Sequence, residues 1–564
     1  MVQDILRDST IGQVINYISS GRIFPYADQR PDFEVPSHFL LPSQRPSTIV
    51  SPDSDATTLC GDLEKSRGAS TPGVQLTRES TLAVGIDTEK QKQIDIALSS
   101  DPYTVGWYGD DDQENPRNWS PAKRAFVAFS ISFLTFSVYI GSAIYTPSIP
   151  GLMADFNVSQ TMATLGLTLY ILAYGIGPMF LAPLQELPGI GRNPVYMATL
   201  FLFVIFQIPV AVARNMSTVL AFRFLTGFVG SPALATGGAS MADIYPKHQF
   251  PYVLGIWALG SVAGPITGPV IGGFAAQANG WRWPQYELIW IAGFALIFLL
   301  LLLPETYEPT ILLKRAQRLR KLTGNQELRS QSEKDKGGES LGEVMQDALI
   351  RPFILAKEPV LMFANVYLGF VYAIFYLWFE AFPLVFVDIY HFNLGVSGLP
   401  FLGFVVSGAI TKYHIAPRFA KAEAAGVDIA PEIRLEIGLI ASIFIPTSVL
   451  IFGFTSKESI HWIAPIIGAA LYLPGIYLTF QSILTYITSA YPTYAASVLA
   501  GNDLFRSAIA SVFPLFGRAF FVNLGLGPAS ALLAGVSFLM MPVFWSLWKW
   551  GHVLRRRSVY AASP

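Results

Sequence analysis

The chain has 564 residues, of which 52% are hydrophobic and only 14% charged, and its mean hydropathy is +0.43. Soluble proteins carry about 25% charged residues, so the composition excludes an ordinary soluble domain and predicts an all-α polytopic membrane protein. A net charge of −1 and the lack of any Lys- or Arg-rich block argue against nucleic acid as a partner, and the lone cysteine, Cys60, can close no intrachain disulfide.

Residues 1–120 are rich in Ser, Asp, Pro and Gln, and no apolar run among them approaches the roughly 20 residues a span needs. This composition predicts a largely disordered tail. Within it Ile11, Val14, Ile15 and Ile18 recur at helical spacing after Ser9 and Thr10, so a short amphipathic helix is expected near the start. Only Arg7 supplies positive charge there, which favours a packing or docking helix over a membrane-surface one. Charge interrupts the first apolar positions, so no signal peptide is expected, and the tail should stay in the cytosol.

From Lys123 onward, long apolar segments alternate with short polar ones. Hydropathy predicts twelve transmembrane helices, at 124–146, 161–184, 194–213, 217–240, 252–276, 285–303, 359–384, 396–416, 434–455, 460–484, 495–521 and 528–550. The expected organisation is a tail over 1–120, a six-helix half over 121–304, a charged central loop over 305–358, a second six-helix half over 359–552 and a short tail over 553–564. Lys123, Arg124, the loop residues Lys314, Arg315, Arg318, Arg320 and Lys321, then Lys412, Arg418, Lys421 and Arg555 to Arg557, all fall on one side. The bias of Lys and Arg makes that side cytoplasmic, with both termini on it. Asn157-Val158-Ser159 in the first external loop is a glycosylation acceptor motif, whereas the Asn118 sequon lies on the opposite side.

Several polar groups stand out within or beside the spans. Residues 177–192, G-P-M-F-L-A-P-L-Q-E-L-P-G-I-G-R, end span two with Glu186, Gly191 and Arg192, which read either as a gate or as an ordinary surface pair worth about 1 kcal/mol or less. Arg223 lies inside the outer end of span four, where it must either face a partner in the bundle or snorkel outward. Asp243 closes the same span as a helix-end or latch residue. Span five carries G-S-V-A-G-P-I-T-G-P-V-I-G-G-F; Gly260, Gly264 and Gly268 at four-residue spacing offer a smooth face, and Pro265 and Pro269 are tolerable where neighbouring helices satisfy the freed backbone. Tight packing and a functional hinge both fit, with Gly272 and Gly273 extending the pattern.

Glu380 sits in F-Y-L-W-F-E-A-F-P of span seven. Its apolar surroundings disfavour the charged form, whereas an approaching Arg223 would favour it. The two could meet across the halves, which makes Glu380 a candidate proton carrier or, alternatively, half of a structural ion pair. Asp503 and Arg506, three apart on one face of span eleven, are expected to form a self-satisfied pair at the cytoplasmic gate. Tyr139, Tyr174, Tyr367, Tyr376, Trp378 and Tyr477 could line an aromatic cavity for bulky amphipathic molecules. No P-loop and no metal-ligand cluster occurs, so neither an enzyme, a metal site nor a cofactor is expected, and transport would draw on an ion or substrate gradient.

These motifs carry a resemblance. G-P-I-T-G-P-V-I-G-G resembles the fifth-span signature of antiporter branches of the major facilitator superfamily. Residues 177–192 resemble its loop between spans two and three, with Leu187 in place of a common basic residue and Pro188-Gly189 lengthening the turn. Leu220, Arg223 and Gly227 resemble its fourth-span motif, whose arginine is linked to proton movement. With N-P-R-N-W from Asn115 and Y-T-P-S-I-P from Tyr145, residues 100–555 look like the fungal twelve-span drug:proton antiporters, including benomyl, methotrexate and fluconazole resistance transporters. The resemblance implies two pseudo-symmetric six-helix halves, a monomer in the plasma membrane, and proton-coupled export of drugs or secondary metabolites by alternating access. A nutrient uptake permease or uniporter, and a transport-inactive sensor, are the alternatives.

Overall fold

The computed structural model describes residues 2–19, 21–36, 39–40, 103–246, 249–335, 341–414, 432 and 434–561. Cys60, Arg418, Lys421 and most of the tail lie outside the described residues. Two compact units are present. The larger comprises Met1–Pro25, Trp107–Ile311 and Lys336–Pro564.

The larger unit begins with two short helices, α1 (Val2–Asp8) and α2 (Thr10–Ile18), the second capped by Ser9, as the apolar spacing predicts. The first half of the bundle follows as α3 (Pro121–Ala143), α4 (Gln160–Gln185), α5 (Arg192–Ala211), α6 (Met216–Ala235, prolonged by Gly237–Ile244), α7 (Phe250–Asn279) and α8 (Trp283–Leu302). Polar caps start several of these helices: the side chains of Ser120, Ser159 and Asn215 accept from the backbone N–H groups of Lys123, Met162 and Thr218. After α9 (Glu308–Thr323) and α10 (Leu341–Leu355), the second half runs through α11 (Pro359–Phe382), α12 (Leu402–His414), α13 (Arg434–Ala441) with α14 (Phe444–Thr455), α15 (Ile463–Ala470) with α16 (Tyr472–Ala490), α17 (Ala495–Leu524) and α18 (Leu526–Arg557).

Among the described residues, eleven of the twelve expected spans are helices long and apolar enough to cross a membrane, and at the eighth the described apolar helix is Val396–Gly408. Its start is a 3-10 turn, Val396–Phe401, because Gly395 and Gly398 press against α7: a Cβ on Gly398 would lie 2.5 Å from the Pro269 carbonyl oxygen. Span five runs as one α-helix through Pro265 and Pro269. Its glycines are contact points. A Cβ on Gly264 or Gly268 would sit 2.8 or 2.7 Å from the backbone nitrogens of Ile140 or Ile144 on α3, one on Gly272 would sit 2.6 Å from the Ile144 oxygen, and one on Gly260 would approach Ser132 at 3.3 Å. Gly273 turns to the second half, where the Leu394 oxygen lies 2.7 Å from the same kind of probe.

The smaller unit, Tyr26–Gly106 with Leu312–Asp335, interleaves segments that the sequence assigns separately to tail and central loop. Strand β1 (Thr104–Val105) pairs in parallel with β2 (Arg329–Ser330), and Arg318 holds the buried Asp28 at 2.8 Å while stacking 4.0 Å over Tyr26. The physical reason is charge: the loop arginines need acceptors, and the tail supplies them.

The close α3–α7 contact generates a prediction. Gly268→Leu should lower stability by about 1–3 kcal/mol, as overpacking does, whereas Gly293→Ala, with nothing within 4 Å, should be neutral or slightly stabilising. Thermal unfolding of the two variants in detergent measures this, and equal losses would contradict it.

Candidate transport pathway and latches

Near the C-terminal end of α11, Glu380 is only 4% exposed and reaches from the second half to the first. Its Oε2 accepts from Gln160 Nε2 at 3.2 Å and its Oε1 from Thr164 Oγ1 at 3.5 Å, both on α4. Gly517 on α17 makes the room, since a Cβ there would lie 3.2 Å from Glu380 Cγ. Below it Thr168 Oγ1 donates to the Ser511 oxygen at 2.8 Å, and to one side Gly395 N donates to Gln277 Oε1 at 2.8 Å. These contacts join the halves.

Arg223 does not meet Glu380. It is completely buried within the first half, donating through Nε to the Gly166 oxygen at 3.1 Å and through Nη1 to the Gly141 oxygen at 2.7 Å. Its guanidinium lies between the rings of Tyr145, at 4.5 Å, and Tyr170, at 4.3 Å. The expected meeting of the two residues is therefore corrected, and so is the snorkelling alternative. A fork of donors can be satisfied by helix carbonyls and ring faces as well as by a carboxylate, and carbonyls leave no mark in a sequence. Among the described residues, the carboxylate nearest in role, Glu380, has other donors.

Midway along the bundle, hydroxyls replace charge. Tyr174 on α4 shares hydrogen bonds with Tyr372 at 2.8 Å and Tyr376 at 3.0 Å, Tyr139 on α3 meets the Tyr372 hydroxyl, and Tyr376 donates to Ser142 Oγ at 3.5 Å. Sequence reasoning missed Tyr372, although its four-residue spacing from Tyr376 puts both on one helix face. Arg506 stands 4.9 Å over the Tyr372 ring and pairs with Asp503, as the spacing predicts. That pair packs beside Gly175 of α4, apart from the candidate latch residues at the start of α5. Tyr477 crosses the seam too, its hydroxyl 2.8 Å from the place of a Cβ on Gly255.

Tyr367 and Trp378 do not line this seam. Tyr367 stacks on Phe363 and packs against Phe544, each at 5.4 Å, and Trp378 meets Phe452 at 4.5 Å and Tyr472 at 5.8 Å, all within the second half. Eleven residues apart, the two share one helix face, while Tyr372 lies about 140° round from Tyr367 at 100° per residue. Aromatic character alone cannot choose between those faces, because from Val371 to Phe382 every residue of α11 is buried.

A candidate latch is built where α5 begins. Gly191 has φ of +83°, a conformation that suits glycine, and a Cβ there would strike Glu305 Oε2 at 2.5 Å. Arg192 Nε donates to Asp243 Oδ2 at 2.6 Å, which also accepts from Thr306 Oγ1 at 3.3 Å. Glu305 accepts backbone N–H groups from Arg192 (3.2 Å), Asn193 (3.2 Å), Thr306 (2.9 Å) and Tyr307 (3.0 Å), placing its carboxylate at the start of α5, where a helix favours negative charge. Glu186 contributes its backbone oxygen, which accepts from the Tyr307 hydroxyl at 3.1 Å. Burial, with the Glu186 carboxylate adding, pushes that hydroxyl up to about 12, so it stays a donor at physiological pH. Glu305 escaped the sequence reading because its partners are backbone groups; its one signal was a carboxylate placed directly after the last apolar residues of span six. Asn157 is exposed, in the left-handed conformation that ends the short helix Ile149–Phe156.

Residues 131–514 match the Major Facilitator Superfamily profile. The chain belongs to the Major Facilitator Superfamily. It is 41% identical over 514 residues to Transporter mfs1 of Schizosaccharomyces pombe, covering 89% of this chain and 96% of that one. It is 38% identical to the Cycloheximide resistance protein of Candida maltosa, with 99% of each covered, and 37% identical to Fluconazole resistance protein 1 of Saccharomyces cerevisiae, over 82% and 85%. A crystal structure of the human organic anion transporter MFSD10 shares the fold, with a TM-score of 0.52 at 16% identity, over 76% of this chain and all of that one. The protein is thus a multi-pass membrane transporter with a major facilitator fold.

In this transporter, Glu305→Ala should destabilise the first half by about 1–3 kcal/mol, the cost of leaving buried donors unsatisfied. Glu305→Gln should recover part of the loss, because the amide keeps an acceptor. Unfolding temperatures of both variants check this; an unchanged alanine variant would contradict the capping role.

Proposed function

We propose that the protein exports amphipathic organic molecules, among them antifungal compounds, across the plasma membrane in exchange for protons, with Glu380 as the proton carrier. The observation that carries this reading is a carboxylate buried at the contact between the two halves. A charged carboxylate costs more to bury than a neutral one. Closing the outer seam over Glu380 therefore favours its protonated form, and exposing it to outside water favours exchange. In the proposed cycle the proton enters from outside as drug leaves, the protonated seam closes, and the proton is released inside, where drug binds. Arg223 supplies a positive charge within the first half, beside Tyr145 and Tyr170, where the cycle can sense it. The tyrosine cluster of Tyr139, Tyr174, Tyr372 and Tyr376, with Tyr477, supplies adaptable hydrogen bonding and ring faces where the halves part.

The relatives' resistance names support export of drugs, and the fifth-span glycine pattern supports antiport over uptake. The distribution of Lys and Arg supports cytoplasmic termini, and the exposed Asn157 is proposed as a glycosylated residue. One proton moving down 100 mV contributes about 2.3 kcal/mol, enough for roughly fifty-fold accumulation of a neutral drug.

Proteoliposomes with an imposed pH gradient and labelled fluconazole or cycloheximide provide the test. Wild type should accumulate drug against its gradient and lose that accumulation when a protonophore is added. Glu380→Gln should bind and equilibrate drug yet show no gradient-driven accumulation. Undiminished accumulation by Glu380→Gln, at equal protein incorporation, would overturn the assignment; equilibration without accumulation in wild type would favour a uniporter.

A further inference from the structure

The first helices hold an unassigned surface. Asp8, at the end of α1, binds the buried Lys123 of α3 at 3.0 Å and Arg7 at 2.7 Å, and Lys123 also lies 4.1 Å over Trp119. Ser9 forms a β-bridge with Pro304, just past the end of α8, and the Asp8 oxygen accepts from Glu305 N at 3.4 Å. This clasp fixes α2 beside the ends of two spans. Its outer face is apolar and open: Val14 is 52% exposed, Tyr17 79% and Ile18 76%, followed by the exposed Arg22 and Ile23.

Between α2 and the start of α5 lies a groove of about 280 Å³, lined by Thr10, Gln13, Val14, Tyr17, Asn193 and Pro194. Pro194 heads an exposed stripe along α5 that continues through Ala198, Phe201, Ile205 and Ile208 at helical spacing. On a spanning helix such a stripe faces lipid. The groove and the open face of α2 therefore continue the lipid-facing surface at the level where the spans leave the membrane, and an exposed tyrosine such as Tyr17 is favoured at that interface.

We propose that α2 is an in-plane membrane anchor: Val14, Tyr17 and Ile18 enter the leaflet on the side of the chain termini, and a phospholipid acyl chain fills the groove beside Pro194. The helix thus docks on the protein through one face and on lipid through the other. This inference stands on the spans alone and is independent of the transported substrate.

The test uses the full-length protein with Cys60→Ser, reconstituted in phosphatidylcholine–phosphatidylglycerol vesicles and carrying an environment-sensitive fluorophore on a single cysteine at Tyr17 or, in a second variant, Ile18. Phe201→Cys is the lipid-facing control and Asp111→Cys the exposed one. The expected result is quenching by shallow nitroxide-labelled phospholipid to the extent seen at position 201, with protection from aqueous iodide. Quenching by iodide as at position 111, with none by the labelled lipid, would overturn the proposal. So would lipid-independent shielding that grows with protein density, which would assign the face to a second copy of the chain.

Discussion

Glu380 touching Gln160 and Thr164 is the constraint that sets the junction apart, because it places an ionisable group where the two halves meet, with uncharged donors of the first half as its hydrogen-bond partners. In a bundle surrounded by lipid, each charge must be satisfied by protein or released to water. The first half pairs its charges internally: Arg223 takes two helix carbonyls and two ring faces, and Arg192 takes Asp243. Glu380 takes its side-chain hydrogen bonds from the opposite half. Moving the halves apart at the outer side therefore changes its environment from protein to water in one step, which is the property a coupling site needs.

The rest of the bundle makes that movement a motion of rigid pieces. α3 and α7 are locked by backbone-to-backbone approach at Gly264, Gly268 and Gly272, and the start of α5 is fastened by Glu305 to the segment after α8. Contacts across the halves differ in kind. Apart from Glu380, they are hydroxyl pairs among tyrosines, a threonine on a carbonyl, an amide on a backbone N–H and close glycine packing, each of which can break without leaving an unpaired charge.

Much of the architecture was legible in the sequence, because apolar runs long enough to cross a bilayer have few other uses. Span eight begins at Val396, where hydropathy places it, but its first turns are 3-10, at the close approach of Gly395 and Gly398 to α7. The pairing of Asp503 with Arg506 was legible from residue type and spacing, whereas Arg192 was read beside Glu186 and its actual partner, Asp243, lies 51 residues away. Other features were not legible. The acceptors of Arg223 are carbonyls, which every residue carries; Glu305 acts on backbone N–H groups; and Tyr367 and Trp378 sit on a helix with no polar face to orient it. The tie between Asp28 and Arg318 bridges segments far apart in the chain, with no periodicity to announce it.

The central claim is that the charge state of Glu380 decides whether the outer seam is closed. It is tested most directly by the distance between spin labels at Ala154, in the first half, and Asn523, in the second, in the Cys60→Ser protein reconstituted at acidic and alkaline pH. The account predicts a short distance at acidic pH, a growing population of longer distances at alkaline pH, and a short distance at both in Glu380→Gln. A glutamine variant that opens with pH as wild type does would contradict it.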